Sequence, residues 1–274
     1  RRDFASRRQS PGLPFFGAPK PMTILTATRQ GATLVLEMNE PARRNALSMA
    51  MRGLFIEELE RAERDTAIRA VVITGSGGQF CSGGDISGMD SSGFGAGRER
   101  FRITHAMVRA IVESGKPFVA AVEGWAAGAG VGLAIACDCV VAGEGARFVT
   151  PFHRIGLAPD FGLMHTLPRR IGEGRARNMF LSTEPVDAAE ALRIGLVDHV
   201  VPNGGAREKA LERAAKFAEG APLAIAMTRS VLARGLAEAL EQERTAQAAL
   251  FTTADHAEGK AAFVGKRKPD FQGS

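Results

Sequence analysis

Four short apolar runs mark the first 142 residues: TLVLEM over 33–38, AVVIT over 70–74, FVAAV over 118–122 and CVVA over 139–142. Short runs of this kind, bounded by polar or glycine-rich segments, predict buried strands. Between them the period changes. Residues 47–64 carry Leu54, Ile56 and Leu59 among Glu and Arg, and residues 98–113 carry Phe101, Ile103, Met107, Val108 and Ile111. That spacing predicts amphipathic helices. Strands alternating with such helices predict an α/β architecture. After Pro202 the strand signal stops, and residues 206–219, 221–235, 236–250 and 256–264 all read as helices. The expected organisation is an α/β core over 22–205 and a helical C-terminal region over 206–274, with no internal repeat.

With 274 residues, 45% of them hydrophobic and 24% charged, the chain can bury a sizeable core. Its net charge of +5 is unevenly placed. Residues 1–21 hold Arg1, Arg2, Arg7, Arg8 and Lys20 against Asp3, a net of +4, which leaves +1 for the remainder. The basic excess therefore describes a proline-rich tail, not a nucleic-acid surface. Residues 1–21 are expected to be disordered or foreign to the natural chain, with Met22 as a candidate start. Three cysteines, Cys81, Cys137 and Cys139, suit a reducing compartment, and no His or Cys pair completes a zinc set. The apolar stretch 124–137 is too short to cross a bilayer. A cytoplasmic protein is expected, with neither metal, nucleic acid nor membrane as partner.

The common catalytic signatures are absent: no P-loop, no dinucleotide fingerprint, no nucleophile elbow and no zinc helix. Two glycine-rich turns remain, QFCSGGDIS after AVVIT and EGWAAGAGVGLAIACD after FVAAV. Each reads as strand, tight turn and helix start. Amides in a first helical turn lack an internal acceptor and point outward. Two such turns side by side would aim two N–H donors at one oxygen, an oxyanion hole. The first turn lies in 75–97, a segment with nine glycines, whose second half (90–97) reads as a flexible surface loop.

FCSGGDI, AVEGWAAGAGVGLAIACDCVVAGEGARF, LSTEPVDAAEALRIGLVDHVV and AFVGKRKPDF, in this order, resemble the crotonase superfamily, the enoyl-CoA hydratase/isomerase group. The resemblance runs from about residue 22 to the C-terminus. It implies a spiral of ββα units with a C-terminal helical trimerisation region, homotrimers or dimers of trimers, and acyl-CoA thioester substrates. Coenzyme A would enter as part of the substrate, with no prosthetic group. By motif position the oxyanion donors would be the amides of Gly84 and Ala129. Gly84, Asp85, Ile86 and Ser87 would border the CoA arm, and Phe263 and Lys266 match positions that help hold CoA, often from a neighbouring subunit.

Between Pro117 and His165 the only acids are Glu123, Asp138, Glu144 and Asp160. Glu123 sits in a strand-end turn, and Asp138 and Glu144 bracket CVVA at positions that look structural in the family. Two-glutamate hydratases of the family place glutamates where this chain has Gly132 and Phe152, which puts ordinary hydration in doubt. Asp160 stands in TPFHRIGLAPDFG, among Phe152, Leu157 and Phe161. Those neighbours would raise its pKa by desolvation. It matches the aspartate of isomerases that move an acyl-CoA double bond from the 3,4 to the 2,3 position, a reaction that one acid/base can run. Four alternatives stay open. Asp160 could cap the helical-looking segment 161–171. His105 and Asp160 match the base and nucleophile of 4-chlorobenzoyl-CoA dehalogenases, although those carry Trp where this chain has Phe152. Hydration could run on atypical residues, or the chain could be a non-catalytic acyl-CoA binding subunit. The side that His153 faces is open.

Overall fold

The computed structural model describes residues 23–89 and 93–274. The expected tail, the candidate start Met22 and residues 90–92 of the glycine-rich segment lie outside them. The main sheet has six strands: β1 (Leu25–Gln30), β2 (Thr33–Met38), β3 (Ala70–Gly75), β4 (Phe118–Val122), β6 (Cys139–Gly143) and β9 (His199–Val201), in that order across the sheet. β1 and β2 form an antiparallel hairpin, and every other neighbouring pair is parallel. A smaller sheet holds β5 (Trp125–Ala127), β7 (Arg147–Val149) and β8 (Val186–Asp187). β4 and β6 each hand the chain to this second sheet before a helix follows.

Both faces of the main sheet are covered, which is why β3, β4 and β6 read as unbroken apolar runs. Leu36, Ile73, Ala120 and Val140 face one core with helices α1 (Met49–Arg64), α2 (Phe94–Val112), α3 (Ala129–Ile135) and α4 (Leu163–Ile171). Their alternates Val35, Val72, Val119 and Val141 face a second core. After α5 (Glu173–Ser182) and α6 (Ala188–Arg193), α7 (Ala206–Ala218) closes that second core with Ala206, Ala210 and Ala214. These sit four residues apart on one helical face, and their small side chains let α7 lie close on the strands. α8 (Pro222–Leu232), α9 (Leu236–Leu250) and α10 (Ala254–Val264) follow. α9 packs against α2 and α4, while α8 leaves Leu223, Met227 and Leu232 exposed.

Two expectations are corrected. Residues 94–97 are not loop: α2 begins at Phe94, four residues before the sequence suggested. Its Gly97 is buried, and a Cβ there would stand 3.1 Å from Ala248 Cα, so close packing on α9 uses a residue that sequence reads as flexible. The turn after β3 leads into a single 3-10 turn, Ile86–Gly88, and not into a helix. No helix among the described residues is long and apolar enough to cross a membrane.

Candidate active site

The two glycine turns meet. The Cys81 amide donates to the Trp125 carbonyl at 2.9 Å, and the Ala127 amide donates back to the Cys81 carbonyl at 2.9 Å. Gly83 follows with a φ of +101°, and a Cβ there would stand 2.8 Å from the Ala127 carbonyl oxygen. Only glycine allows both that backbone angle and that approach. The contact brings Gly84 and Ala129 to the wall of one small cavity of about 60 Å³, which also meets Met89, Phe152, Leu157 and Asp160. Among the described residues, neither the Gly84 nor the Ala129 amide has a protein acceptor. Ala129 opens α3, where first-turn amides are free by construction. Such a pair can hold an oxygen that gains negative charge.

Asp160 is the one titratable side chain on that wall among the described residues. It is 6% exposed, and its Oδ1 has no hydrogen-bond partner. Burial, then the charge of Glu243, pushes its carboxyl up to about 7, against the pull of Arg52, His105 and Arg100. The capping alternative does not hold: α4 is capped by Gly162, with no side-chain bond from Asp160. The Gly162 amide donates instead to Glu243 Oε2 at 2.9 Å. Phe152 and Leu157 line the cavity as expected. Phe161 turns away, and a Cβ at Gly132 would lie 2.8 Å from its Cβ. The position where the resemblance places a glutamate is therefore filled from the other side.

The remaining sequence candidates divide. Ile86 lines the cavity; Asp85 pairs with Arg43 at 3.1 Å; the side chain of Ser87 lies outside the described residues. His105 does not line the cavity. Its Nε2 stands 2.7 Å from Glu243 Oε1, and burial pushes its pKa down to about 4. His153 is exposed and borders a separate groove with Phe271. Phe263 and Lys266 are exposed near the end of α10, away from the cavity. Three of the other acids are spoken for or exposed: Glu123 Oε1 accepts from the amides of Gly204 and Ala206 at 2.9 and 3.1 Å, Asp138 accepts from the Phe118 amide at 2.7 Å and pairs with Arg229, and Glu144 is exposed.

Of the buried polar residues that escaped the sequence reading, three bear on the site. Arg52 is 2% exposed, bonds Thr104, and sits so that its Nη2 lies 3.3 Å from a Cβ built at Gly84; burial pushes it down to about 10. Glu243 is 1% exposed and is pushed up to about 8 by burial. Gln247 is fully buried and donates to the Ala158 carbonyl at 2.6 Å. Their helical phase carried a signal. Arg52 falls on the apolar stripe with Phe55 and Leu59, and Glu243 and Gln247 continue the stripe of Leu236 and Leu240.

The family model for enoyl-CoA hydratase/isomerase matches residues 28–274. The chain is 39% identical to the 2,3-dehydroadipyl-CoA hydratase of Escherichia coli K12, over 92% of this chain and all of that protein. It is 33% identical to the 1,2-epoxyphenylacetyl-CoA isomerase of the same organism, over 91% of this chain and 98% of that one. A crystal structure of an enoyl-CoA hydratase from Mycobacterium avium subsp. paratuberculosis superposes with a TM-score of 0.82 at 33% identity, covering 92% of this chain and 100% of that one. With its mixed α/β spiral, its paired glycine turns and a match over nearly its whole length, the chain belongs to the enoyl-CoA hydratase/isomerase family of the crotonase superfamily.

Proposed function

We propose that this acyl-CoA enzyme moves a double bond from the 3,4 to the 2,3 position of its substrate, with Asp160 as the single acid/base. The thioester carbonyl oxygen takes the amides of Gly84 and Ala129. Asp160 removes a proton from C2, the negative charge spreads onto the thioester oxygen, and the protonated Asp160 returns the proton at C4. Atoms and charge balance within the substrate, so no water or second base is needed. The observation that carries this reading is the solitary acid: among the described residues, Asp160 is the one titratable side chain on a wall that also presents two free amides. A carboxyl held near pH 7 suits a group that must both take and give a proton at neutral pH. Water addition asks for groups that hold and activate a water molecule, and Gly132 and Phe152 supply none.

The names of the relatives favour a second reading, hydration, since the 39%-identical protein is a hydratase. The same cavity would then use Asp160 to activate water. The two readings separate on substrate. The isomerase reading expects a 3-enoyl-CoA to gain the ultraviolet absorbance of a conjugated thioester, with little loss of absorbance from crotonyl-CoA. The reverse pattern would establish hydration. We further propose a trimer or dimer of trimers in the cytoplasm, in which Phe263 and Lys266 meet the CoA arm bound to a neighbouring subunit. The exposed Leu223, Met227 and Leu232 of α8 support association.

A further inference from the structure

Asp160 is not fixed by its own side chain. Its Oδ1 finds no partner, and the two residues after it, Phe161 and Gly162, have φ values of +60° and +74°. A phenylalanine in the left-handed region is held there by its surroundings. The restraint comes from one helix. Gln247 Nε2 donates to the Ala158 carbonyl at 2.6 Å, and Glu243 Oε2 accepts from the Gly162 amide at 2.9 Å. The two bonds fall two residues before and two residues after Asp160. Glu243 and Gln247 are four apart on α9 and so share a face. Both are buried, at 1% and 0% exposure. Glu243 is itself held by His105 on α2, 2.7 Å away. The loop therefore hangs from a two-point mount on α9, anchored in turn to α2.

We propose that Glu243 and Gln247 are the positioning residues of the active site, a clamp from the C-terminal helices that sets where the Asp160 carboxyl stands over the substrate. The proposal rests on Asp160 as the acid/base. Its logic is geometric. Proton transfer from carbon depends steeply on the place of the base, and a misplacement of about 1 Å lowers the rate by up to about 100-fold. A helix face positions backbone more tightly than a loop does.

The test uses the full-length protein with Q247L, which keeps volume and loses the donor, and E243L, with E243Q as the conservative variant that still accepts from Gly162. Isomerisation kinetics are measured beside thermal unfolding. The clamp predicts that Q247L and E243L each lower kcat by about 10- to 100-fold, with KM changed by less than about threefold because the amides and cavity walls are untouched. E243Q recovers most of the loss seen in E243L. If both leucine variants lower the melting temperature but keep the parent kcat, the bonds only hold the fold together and the clamp is refuted. If E243L fails to fold, Q247L alone decides between these outcomes. D160N in the same assay separates the two claims: a D160N enzyme as active as the parent defeats the assignment of Asp160, whereas an inactive D160N beside fully active Q247L and E243L defeats the clamp alone.

Discussion

Replacing Asp160 with asparagine should make the protein more stable, and by an amount that depends on pH. The carboxyl ionises near pH 3.8 in the unfolded chain and near 7 in the fold, chiefly because burial disfavours its charge. A rise of about three pH units corresponds to about 4 kcal/mol, at about 1.36 kcal/mol per unit. The sign follows from where the proton sits. Below pH 3.8 the group is neutral in both states and burial carries no charge penalty. As pH rises, the unfolded chain ionises first, so the folded state loses stability until about pH 7, where the fold ionises too. The asparagine amide never charges, so the variant escapes this loss. The D160N protein should therefore exceed the parent by up to about 4 kcal/mol above pH 7, and the gap should widen by about 2–3 kcal/mol between pH 5 and pH 8. Urea unfolding of both proteins at matched concentration measures it. Differences in hydrogen bonding between Asp and Asn do not vary over this range, so the slope isolates the charge. A gap that stays flat with pH, or a variant weaker than the parent at pH 8, would show that Asp160 is not held in a desolvated site.

Further outcomes follow from the same geometry. The Gly132→Glu variant should lose about 1–3 kcal/mol of stability, because its Cβ would meet Phe161 at 2.8 Å, and it should gain no hydration activity; thermal unfolding and a crotonyl-CoA assay check both. In the isomerisation reaction kcat/KM should rise with pH along a limb near 7, since Asp160 must be ionised to act as base. Arg52→Gln removes a cation that favours the ionised carboxyl, so that limb should move to higher pH; an unmoved or lowered limb would contradict the placement of Arg52 beside Asp160.

The parts of the fold legible in the sequence are those whose burial is uniform. AVVIT, FVAAV and CVVA announce themselves because helices cover both faces of β3, β4 and β6. β5, β7, β8 and β9 span two or three residues each and are too short to show a period. β1, LTATRQ, lies at the sheet edge with four exposed residues, so it lacks an apolar signature. Gly95 and Gly97 hid the first turn of α2; at Gly97, close approach to α9 and loop flexibility call for the same residue. At the site, an acid among apolar neighbours pointed to Asp160, whereas Gly84 and Ala129 were picked out only by the resemblance of the two glycine turns to the family's motifs. The clamp residues Glu243 and Gln247 and the cation Arg52 sat in view on helical stripes. Which loop a buried polar residue meets depends on packing between distant segments, and no local pattern carries that.

The central claim is that one carboxyl moves the proton. Incubating parent and D160N with a 3-enoyl-CoA in D2O, and following deuterium at C2 and C4, addresses it directly. The account predicts deuterium incorporation by the parent and a rate lower by about 100- to 10,000-fold in D160N, the range for loss of a positioned acid/base. A D160N protein that is folded, binds acyl-CoA and exchanges at the parent's rate would contradict it.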